Sequence, residues 1–352
     1  MVPGDGVTEQ LAGHTTFGIG GPASQFVDAH SIAELVDAIR GADADGEPLF
    51  VLSGGSNVLV ADDGFAGTVV HVANRGIQLH IEDESVLMLV SAGEPMDALV
   101  ATSVEHGWSG LESLSGIPGL VGAAPVQNIG AYGSEIASVV VSVGVWDRTE
   151  KRTRILSAAD CRFGYRDSVI KSSRAPGQAT GRYVVLEVLF QLLPTALSAP
   201  IAYAELAGTL GAPMGAQVPI GDVRAAVLDL RRAKGMVFDK ADPDTHGAGS
   251  FFTNPVLTSD DAVRLPAEAP RYQQPDGRVK TSAAWLIDHA GYKKGFGDAR
   301  ARVSAKHTLA LTNQGGASAT EVIALARTIR AGVEAKYGII LQPEPVLVGL
   351  DF

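Results

Sequence analysis

The stretch at residues 116–133, GIPGLVGAAPVQNIGAYG, contains five glycines, two prolines and no Asp, Glu, Lys or Arg. Glycine allows a backbone to approach where any Cβ would block it, and unpaired backbone N–H groups can bind an anion. Gln127 and Asn128 add neutral hydrogen-bonding groups. The stretch therefore favours two structures equally. One is a binding loop for a large, partly flat ligand with a pyrophosphate, and the other is a glycine-rich loop packed between domains.

A second glycine turn lies within PLFVLSGGSNVLV, at residues 48–60. A buried strand, a Gly-Gly turn and a second apolar run can leave backbone N–H groups facing an anion. The segment lacks the Lys-Ser/Thr ending of a P-loop. A dinucleotide fingerprint starting at Gly54 would need glycines at Ser56 and Leu59. The turn is therefore neither of these two phosphate-binding motifs.

Length and composition exclude several classes of protein. A chain of 352 residues exceeds one usual hydrophobic core, so we expect two or three domains. Its net charge of -11 disfavours nucleic acid as a partner. One cysteine excludes an internal disulfide framework, and without metal-ligand spacings we expect no metal. No apolar run suits membrane insertion and MVPGDGVTEQ lacks a secretory signal, so we expect a cytoplasmic protein.

Basic residues are concentrated in two segments. Residues 147–174 contain eight Lys and Arg against four acids, and residues 280–306 are also rich in Lys and Arg. This distribution suits a small anionic ligand, although solvated strand and helix faces account for most of these side chains taken singly.

Strand and helix signals are mixed along the chain, which indicates an α+β class. A capping box at SIAE predicts a helix from residue 31 to about Gly41, and a second helix is predicted at residues 95–106. A further capping box at SATE predicts a helix that ends at Gly338. Its apolar stripe comprises Val322, Ala326, Ile329 and Val333.

Two residues outside the glycine loops could carry chemistry. Ser250, in HGAGSFFTNP, could deliver a proton if its hydroxyl lies in an apolar, desolvated environment. Capping a helix or turn is the commoner role of a lone serine. Glu344 lies between Pro343 and Pro345, which fix the backbone as extended. Its carboxylate is either a positioned catalytic group or an edge-strand gatekeeper, and the local physics favours the gatekeeper.

Other reactive residue types favour structural roles. Cys161 is expected to be a small buried hydrophobe, and His289 and His307 are expected to be structural histidines beside apolar runs.

Seven blocks occur in the order HTTFGIGG, SGGSNVLV, SGIPGLVGAAPVQNIGAYG, CRFGYRDS, AGSFFTNP, AAWLID and LQPEPVLVG. Together they resemble the bacterial UDP-N-acetylenolpyruvoylglucosamine reductases, flavoenzymes that make UDP-N-acetylmuramate for peptidoglycan. The resemblance covers the chain from about His14 to Gly349. It implies a two-part FAD-binding fold of the vanillyl-alcohol-oxidase kind with a separate α+β substrate-binding domain. The expected parts are residues 1–75 and 76–219 for FAD, 220–340 for substrate, and a last strand at 341–352 that returns to the FAD domain.

The resemblance also implies a cofactor and a reaction. FAD would be bound non-covalently, NADPH would donate the hydride, and the enolpyruvyl group of UDP-N-acetylglucosamine enolpyruvate would be reduced. Arg166 and Glu344 would polarise the substrate carboxylate, and Ser250 would donate the proton. The residues implied to bind FAD are Ser53, Gly54, Gly55, Ser56, Asn57, Ile117, Pro118, Gly119, Gly122, Gln127, Asn128, Gly130 and Tyr132.

The implied substrate contacts are Tyr203, Lys234, Asn254 and Tyr272. Tyr272 resembles the tyrosine of a mobile loop that closes over substrate in the longer class of the family. The chain departs from the family near Gly297, where some members carry a phosphate-contacting glutamine. Arg300 or Arg302 would replace that contact.

We expect the reductase to be a monomer, and two other functions stay open. A flavin oxidase could share the cofactor fold, but covalently flavinylated members commonly have a histidine near the first glycine turn, and SGGSN has none. A non-catalytic protein that binds flavin or a nucleotide sugar would be favoured if Arg166, Ser250 or Glu344 were replaced by inert residues, yet all three are present.

Overall fold

The computed structural model describes residues 9–352. Most of the segment considered for a secretory signal, and the start of the predicted first domain, lie outside this part of the chain. None of the helices at residues 9–352 is both long and apolar enough to cross a membrane. The strands are β1 (Ala23–Ala29), β2 (Leu49–Leu52), β3 (Val58–Val60), β4 (Phe65–Val72), β5 (Ile77–Ile81), β6 (Val86–Ser91), β7 (Gly130–Ala131), β8 (Ser134–Glu135), β9 (Val140–Asp147), β10 (Arg152–Ser157), β11 (Tyr183–Leu192), β12 (Val256–Leu257), β13 (Tyr272–Gln273), β14 (Val279–Lys280), β15 (Ala301–Val303), β16 (Leu311–Asn313) and β17 (Val346–Val348). The helices are α1 (Ile32–Asp45), α2 (Met96–Glu105), α3 (Ala158–Cys161), α4 (Val169–Ser172), α5 (Ala204–Leu210), α6 (Ile220–Ala233), α7 (Ser259–Val263), α8 (Ala283–His289) and α9 (Ala319–Tyr337).

The described chain forms two compact units. Unit 1 comprises Glu9, Ala23–Gly55 and Phe65–Val237, and unit 2 comprises Gln10–Pro22, Ser56–Gly64 and Phe238–Phe352. The boundary divides the SGGSN turn, since Gly55 belongs to unit 1 and Ser56 to unit 2. The predicted division at residues 75, 219 and 340 stays a prediction.

Unit 1 is built on two sheets. A parallel sheet has the strand order β1-β4-β2, and an antiparallel sheet has the order β10-β9-β11-β6-β5. Strand β6 alternates buried and half-buried residues, so Val86, Met88 and Val90 point into the core. One continuous apolar cluster includes residues of both sheets together with α1 and α2. This core fixes the loop at residues 116–133, which lies between α2 and β9 in the sequence.

Helix α1 is longer than its sequence predicts. The Ser31 hydroxyl accepts a hydrogen bond from the Glu34 N–H, as expected for the helix start. The predicted end near Gly41 is wrong, because α1 continues to Asp45 and the left-handed residue that caps it is Gly46. Gly41 is exposed, and the buried stripe of Leu35, Ile39 and Ala42 carries the helix past it. Burial of the stripe overrides the low helix propensity of one glycine.

Unit 2 is organised by α8 and α9. The Ser318 hydroxyl accepts from the Glu321 N–H and the Glu321 carboxylate accepts from the Ser318 N–H, which confirms the predicted capping box. The helix ends at the left-handed Gly338 as predicted. Its predicted apolar stripe is buried against α8 and the short strands in one cluster that includes Phe251 and Phe252.

The residues expected to be structural do have structural surroundings. Cys161 is buried, and burial raises the pKa of its thiol to about 11. The His289 ring stacks on Trp285 with 3.9 Å between ring centroids. The Nδ1 atom of His307 accepts a hydrogen bond from the Leu309 N–H at 3.1 Å.

A buried carboxylate joins the edge of the antiparallel sheet to its loops. Asp147 is fully buried at the end of β9 and accepts two hydrogen bonds from Arg182, at 2.7 and 2.6 Å. It also accepts from the backbone N–H groups of Thr149 and Glu150. The hydrogen bonds from Arg182 are the main reason why the pKa of Asp147 lies well below its ordinary value, although burial opposes them.

Replacement of Asp147 tests this contribution to stability. Because the folded-state pKa is lowered, its stabilising effect is present above the unfolded-state pKa of about 3.9 and is lost as pH falls through the folded-state value. We expect Asp147→Asn to reduce the free energy of unfolding by about 2 kcal/mol at pH 7. The difference from the unchanged protein should narrow below about pH 4. Denaturant titrations at pH 7 and below about pH 4 measure this difference, with Asp229→Asn, at a largely exposed side chain outside this network, as the control. An equal difference at both pH values would contradict the assignment.

Candidate active site

The two glycine turns meet in unit 1, backbone against backbone. A Cβ placed on Gly54 would lie 2.7 Å from the Cα of Gly119, closer than real Cβ contacts. Gly55 and Gly119 have φ values of +58° and +104°, in the region that favours glycine. The Oγ of Ser53 is buried and has no hydrogen-bond partner within the described chain. A buried polar atom without a partner is costly, so this hydroxyl indicates a site for a ligand.

The start of the loop at residues 116–133, which we call the charge-free loop, is fixed by a partly exposed ion pair. Asp97, in the first turn of α2, accepts a hydrogen bond from the Gly116 N–H at 2.6 Å. Arg224 of α6 donates to both carboxylate oxygens of Asp97, at 2.7 and 3.0 Å. Burial raises the pKa of Asp97, but these hydrogen bonds outweigh it and keep the pKa below its ordinary value. The carboxylate therefore stays charged and holds the backbone of the loop.

A second arginine of α6 lies behind the same loop. A Cβ on Gly116 would lie 3.5 Å from the Nε of Arg231, and the Nη2 of Arg231 donates to the Met236 carbonyl at 2.8 Å. Its Nε is buried with no partner at residues 9–352. Burial lowers the pKa of this guanidinium, and the charge of Arg166 adds to that effect. Sequence analysis missed Arg224, Arg231 and Asp97, because only the fold brings them to the loop.

The remaining predicted loop residues support its shape. A Cβ on Gly122 would lie 2.6 Å from the Cβ of Ala92, and the Gly122 N–H donates to the Ala92 carbonyl at 2.8 Å. The glycine therefore lets the loop pack directly on the segment that follows β6. The predicted loop residues with half-buried side chains are Ile117, Pro118 and Gln127.

Asn128 joins the charge-free loop to the CRFGYRDS turn. Its side-chain amide nitrogen donates to Glu135 at 2.7 Å and to the Gly164 carbonyl at 3.0 Å, and its Oδ1 accepts from the Ala137 N–H at 3.1 Å. Both amide hydrogens are used inside the protein. This geometry favours a loop-shaping role for the Asn128 side chain.

Arg166 makes the reciprocal contact. It lies at the tip of the tight turn between Gly164 and Asp167 with φ +54°, uncommon for a residue with a Cβ. Its guanidinium donates to the Gly130 carbonyl at 2.8 Å and to the Asn128 carbonyl at 3.4 Å. A strained backbone and two anchoring carbonyls hold a fixed positive charge against the loop. Arg166 therefore lies beside two predicted FAD-loop residues in unit 1.

Unit 1 also brings together three residues predicted to bind either FAD or substrate. The rings of Tyr132 and Tyr203 meet edge to face at 5.5 Å, and the Lys234 ammonium lies 5.6 Å from the centre of the Tyr132 ring. Lys234 pairs with Glu205 at 2.5 Å. Burial is the main cause that raises the pKa of Tyr132 to about 12. Tyr132 is therefore a neutral hydrogen-bond donor at physiological pH.

Unit 2 brings Ser250, Asn57 and Glu344 to one place. The Glu344 N–H donates to the Phe251 carbonyl at 2.8 Å, directly after Ser250. The Asn57 side chain donates to the Glu344 carbonyl at 3.4 Å, and the Val346 N–H donates to the Asn57 carbonyl at 3.0 Å. The backbone of Glu344 is thus bonded to the predicted proton-donor segment, while both interpretations of its carboxylate stay predictions.

The other predicted substrate residues of unit 2 have different surroundings. The Oδ1 of Asn254 accepts from the Ala283 N–H at 2.9 Å at the start of α8. Tyr272 is half exposed on β13, which pairs with β14. Arg300 pairs with Glu321, and Arg302 donates to Gln314 at 2.5 Å. Both arginines therefore already have polar partners in this structure.

Sequence and structure comparisons identify relatives of the chain. Residues 23–155 match the FAD binding domain family, and residues 242–348 match the C-terminal domain family of UDP-N-acetylenolpyruvoylglucosamine reductase. The enzyme of that name from Thermobifida fusca is 52% identical over 351 residues, with 97% of each chain covered. The chain belongs to the UDP-N-acetylenolpyruvoylglucosamine reductase family. The Saccharopolyspora erythraea member is 50% identical, covering 96% of this chain and 94% of the other.

A solved structure agrees with this family membership. The crystal structure of the family member from Thermus caldophilus has a TM-score of 0.62 at 26% identity, with 97% of each chain covered. These matches confirm the predicted family, the α+β class and the FAD-binding fold. The roles of individual site residues stay predictions.

Replacement of Gly54 tests the backbone contact on which the candidate FAD site rests. We expect Gly54→Ala to purify with little FAD and to bind added FAD about 10-fold more weakly or worse, since the Cβ must displace backbone rather than a flexible side chain. Gly41→Ala is the matched control, because α1 has open space at that position. The FAD-to-protein absorbance ratio and titration of the apoprotein by flavin fluorescence measure binding. Equal affinity in the two variants would refute the contact's importance.

Proposed function

We propose that this protein is an NADPH-dependent flavoenzyme that reduces the enolpyruvyl group of UDP-N-acetylglucosamine enolpyruvate and forms UDP-N-acetylmuramate. Relatives about 50% identical over nearly the whole chain carry the reductase name. The observation that carries the proposal is the hydrogen bond from the Glu344 N–H to the Phe251 carbonyl. It holds the backbone of Glu344, the predicted polarising residue, against the residue that follows the predicted proton donor, Ser250.

The residues of unit 1 fit an FAD. Ser53 supplies a buried hydroxyl without a partner in the described chain, and the close contact of Gly54 with Gly119, which a Cβ on Gly54 would block, brings the two glycine turns together beside it. The N–H groups of Gly116, Ile117, Val121 and Gly122 bond within the protein, so those of Gly119 and Leu120 would donate to the pyrophosphate, as at other glycine-rich anion sites. When bound, FAD supplies the relay that accepts a hydride from NADPH and passes it to the substrate double bond.

Arg166 stabilises the negative charge that develops next to the substrate carboxylate. The anchoring carbonyls of Asn128 and Gly130 fix its guanidinium before substrate binds. A preorganised cation needs no reorganisation as charge develops, which is the main source of such electrostatic catalysis. Lysine would not serve equally well, because its ammonium cannot form the same planar, forked contacts.

Ser250 holds the proton that completes the reduction. Its Oγ donates that proton to the carbon next to the reduced vinyl carbon, while a protonated Glu344 donates a hydrogen bond to the reacting carboxylate. A hydroxyl is a weak acid, so water must be excluded. The fully buried side chains of Phe251 and Phe252, next in sequence, contribute to that exclusion.

The nucleotide sugar is held by neutral and cationic side chains. Tyr203 and Lys234 contact its phosphates or uridine, with Tyr132 between them in the same cluster. Asn254 adds an amide contact, and Tyr272 belongs to a loop that closes over bound substrate. The pairing of Lys234 with Glu205 must rearrange as the anionic phosphates enter.

The same proposal includes the oligomeric state, the cellular location and the division of the chain into binding parts. The enzyme is a monomer, and it works in the cytoplasm, where NADPH and nucleotide sugars are available. The parts at residues 1–75 and 76–219 bind FAD, and 220–340 bind substrate. The net charge of -11 supports a small-molecule partner rather than nucleic acid.

An anaerobic experiment separates this function from the two alternatives. The purified yellow protein is first reduced with NADPH, and UDP-N-acetylglucosamine enolpyruvate is then added. Flavin absorbance is followed at about 450 nm. Rapid reoxidation by the substrate supports the reductase. A reduced flavin that ignores the substrate but reoxidises in air supports the oxidase. A protein that NADPH does not reduce, or that carries no flavin, supports a binding protein.

Replacement of Ser250 tests the proton-donor role. We expect Ser250→Ala to be reduced by NADPH at the normal rate and to be reoxidised by substrate about 100-fold more slowly or worse, because only the second step needs the proton. Stopped-flow absorbance measures both steps. Thr253→Val, which removes a hydroxyl three residues away, is the control and should retain both rates. A Ser250→Ala protein with a normal second step would exclude this donor.

A further inference from the structure

The two phenylalanines after Ser250 meet a third aromatic ring at residue 352. Phe251 and Phe252 are 0% and 1% exposed, and their rings lie edge to face at 5.2 Å. The half-buried ring of Phe352 lies 6.3 Å from Phe251 and 6.2 Å from Phe252. These separations are within the range of aromatic contacts. We name these three residues the aromatic clamp.

Helix α9 holds the third ring of the clamp in place. The guanidinium of Arg330 lies 4.9 Å from the centre of the Phe352 ring, which is a cation–π contact. Arg327, one turn earlier, donates to the Asp351 carbonyl at 3.1 Å. The segment before them turns at Gly349, whose φ is +68°. Residues 349–352 are thus fixed to α9 through both backbone and side-chain contacts.

The clamp is joined to both predicted catalytic groups of unit 2. Phe251 follows Ser250 directly, and its carbonyl accepts the hydrogen bond from Glu344. Its N–H donates to the Leu309 carbonyl at 2.8 Å, so one side of the segment is tied to the core. Ser250 itself follows Gly249, a left-handed glycine. Because glycine restricts the backbone least, the contacts of Phe251, on the other side of Ser250, are the ones that fix the position of this serine.

We propose that Phe352, held by Arg330, is a positioning residue that fixes Phe251 and Phe252 and thereby aims the Ser250 hydroxyl. This inference rests on the proposed role of Ser250 as proton donor. A buried ring pair that loses one neighbour can change rotamer, and the hydroxyl at its start then moves. Misplacement by about 1 Å can cost a reaction about 100-fold.

The test compares the two steps of the reaction in the FAD-loaded, full-length enzyme. We expect Phe352→Ala to leave reduction by NADPH within about 2-fold and to slow reoxidation by substrate by about 10- to 100-fold. Phe352→Tyr keeps the ring and should restore reoxidation. Arg330→Gln should slow the same step and Arg330→Lys should retain most of it, since lysine keeps the cation. Val263→Ala, at a highly exposed position, controls for general effects of truncation.

A double variant distinguishes positioning from loss of structure. With the hydroxyl absent its position no longer matters, so Ser250→Ala/Phe352→Ala should be reoxidised no more slowly than Ser250→Ala alone. The clamp would be overturned if the double variant showed the product of the two single defects. It would also be overturned if Phe352→Ala slowed both steps equally or had normal rates. If Phe352→Ala does not fold, Phe352→Leu and Arg330→Gln replace it in the same comparison. A normal Ser250→Ala would overturn the donor role and the clamp together, whereas a slow Ser250→Ala with a normal Phe352→Ala overturns only the clamp.

Discussion

The contact between the backbones of Gly54 and Gly119 is the constraint on which the candidate FAD site depends. No other residue type fits at position 54 without displacing main chain. The contact joins a turn after β2 to a loop after α2, and the ion pair of Asp97 with Arg224 keeps that loop in place. Beside this contact the Ser53 hydroxyl is buried without a hydrogen-bond partner at residues 9–352, which is costly. That combination is expected where a ligand completes the structure.

The predicted catalytic residues of each unit are held by main-chain bonding rather than by side-chain packing alone. In unit 1 the carbonyls of Asn128 and Gly130 orient Arg166. In unit 2 the carbonyl of Phe251 orients the backbone of Glu344. Backbone acceptors cannot be lost by substitution and move little, so they are suited to preorganise catalytic groups. This arrangement also explains why strained conformations, such as the positive φ of Arg166, occur beside the site.

Local signals in the sequence predict much of this structure, while contacts between distant residues escape them. The capping box at Ser318 and the glycine at 338 predict α9 because caps act within a few residues. The end of α1 was misplaced because burial of Ala42 overrides a glycine. Asp97 and Arg224 are 127 residues apart, and no pattern in either segment reveals their pairing. The glycine loops suggested an anion site, but the resemblance to a family was needed to name FAD and the reaction.

A crystal structure of the FAD-loaded protein tests the central claim most directly. The account predicts that the pyrophosphate lies within hydrogen-bond distance, about 3 Å, of the Ser53 hydroxyl and of the backbone N–H groups of Gly119 and Leu120. The Ser53 Oγ, which has no partner within the described chain, would then gain one. A flavin bound elsewhere, with Ser53 still unpaired and the Gly54–Gly119 contact away from the cofactor, would contradict the account.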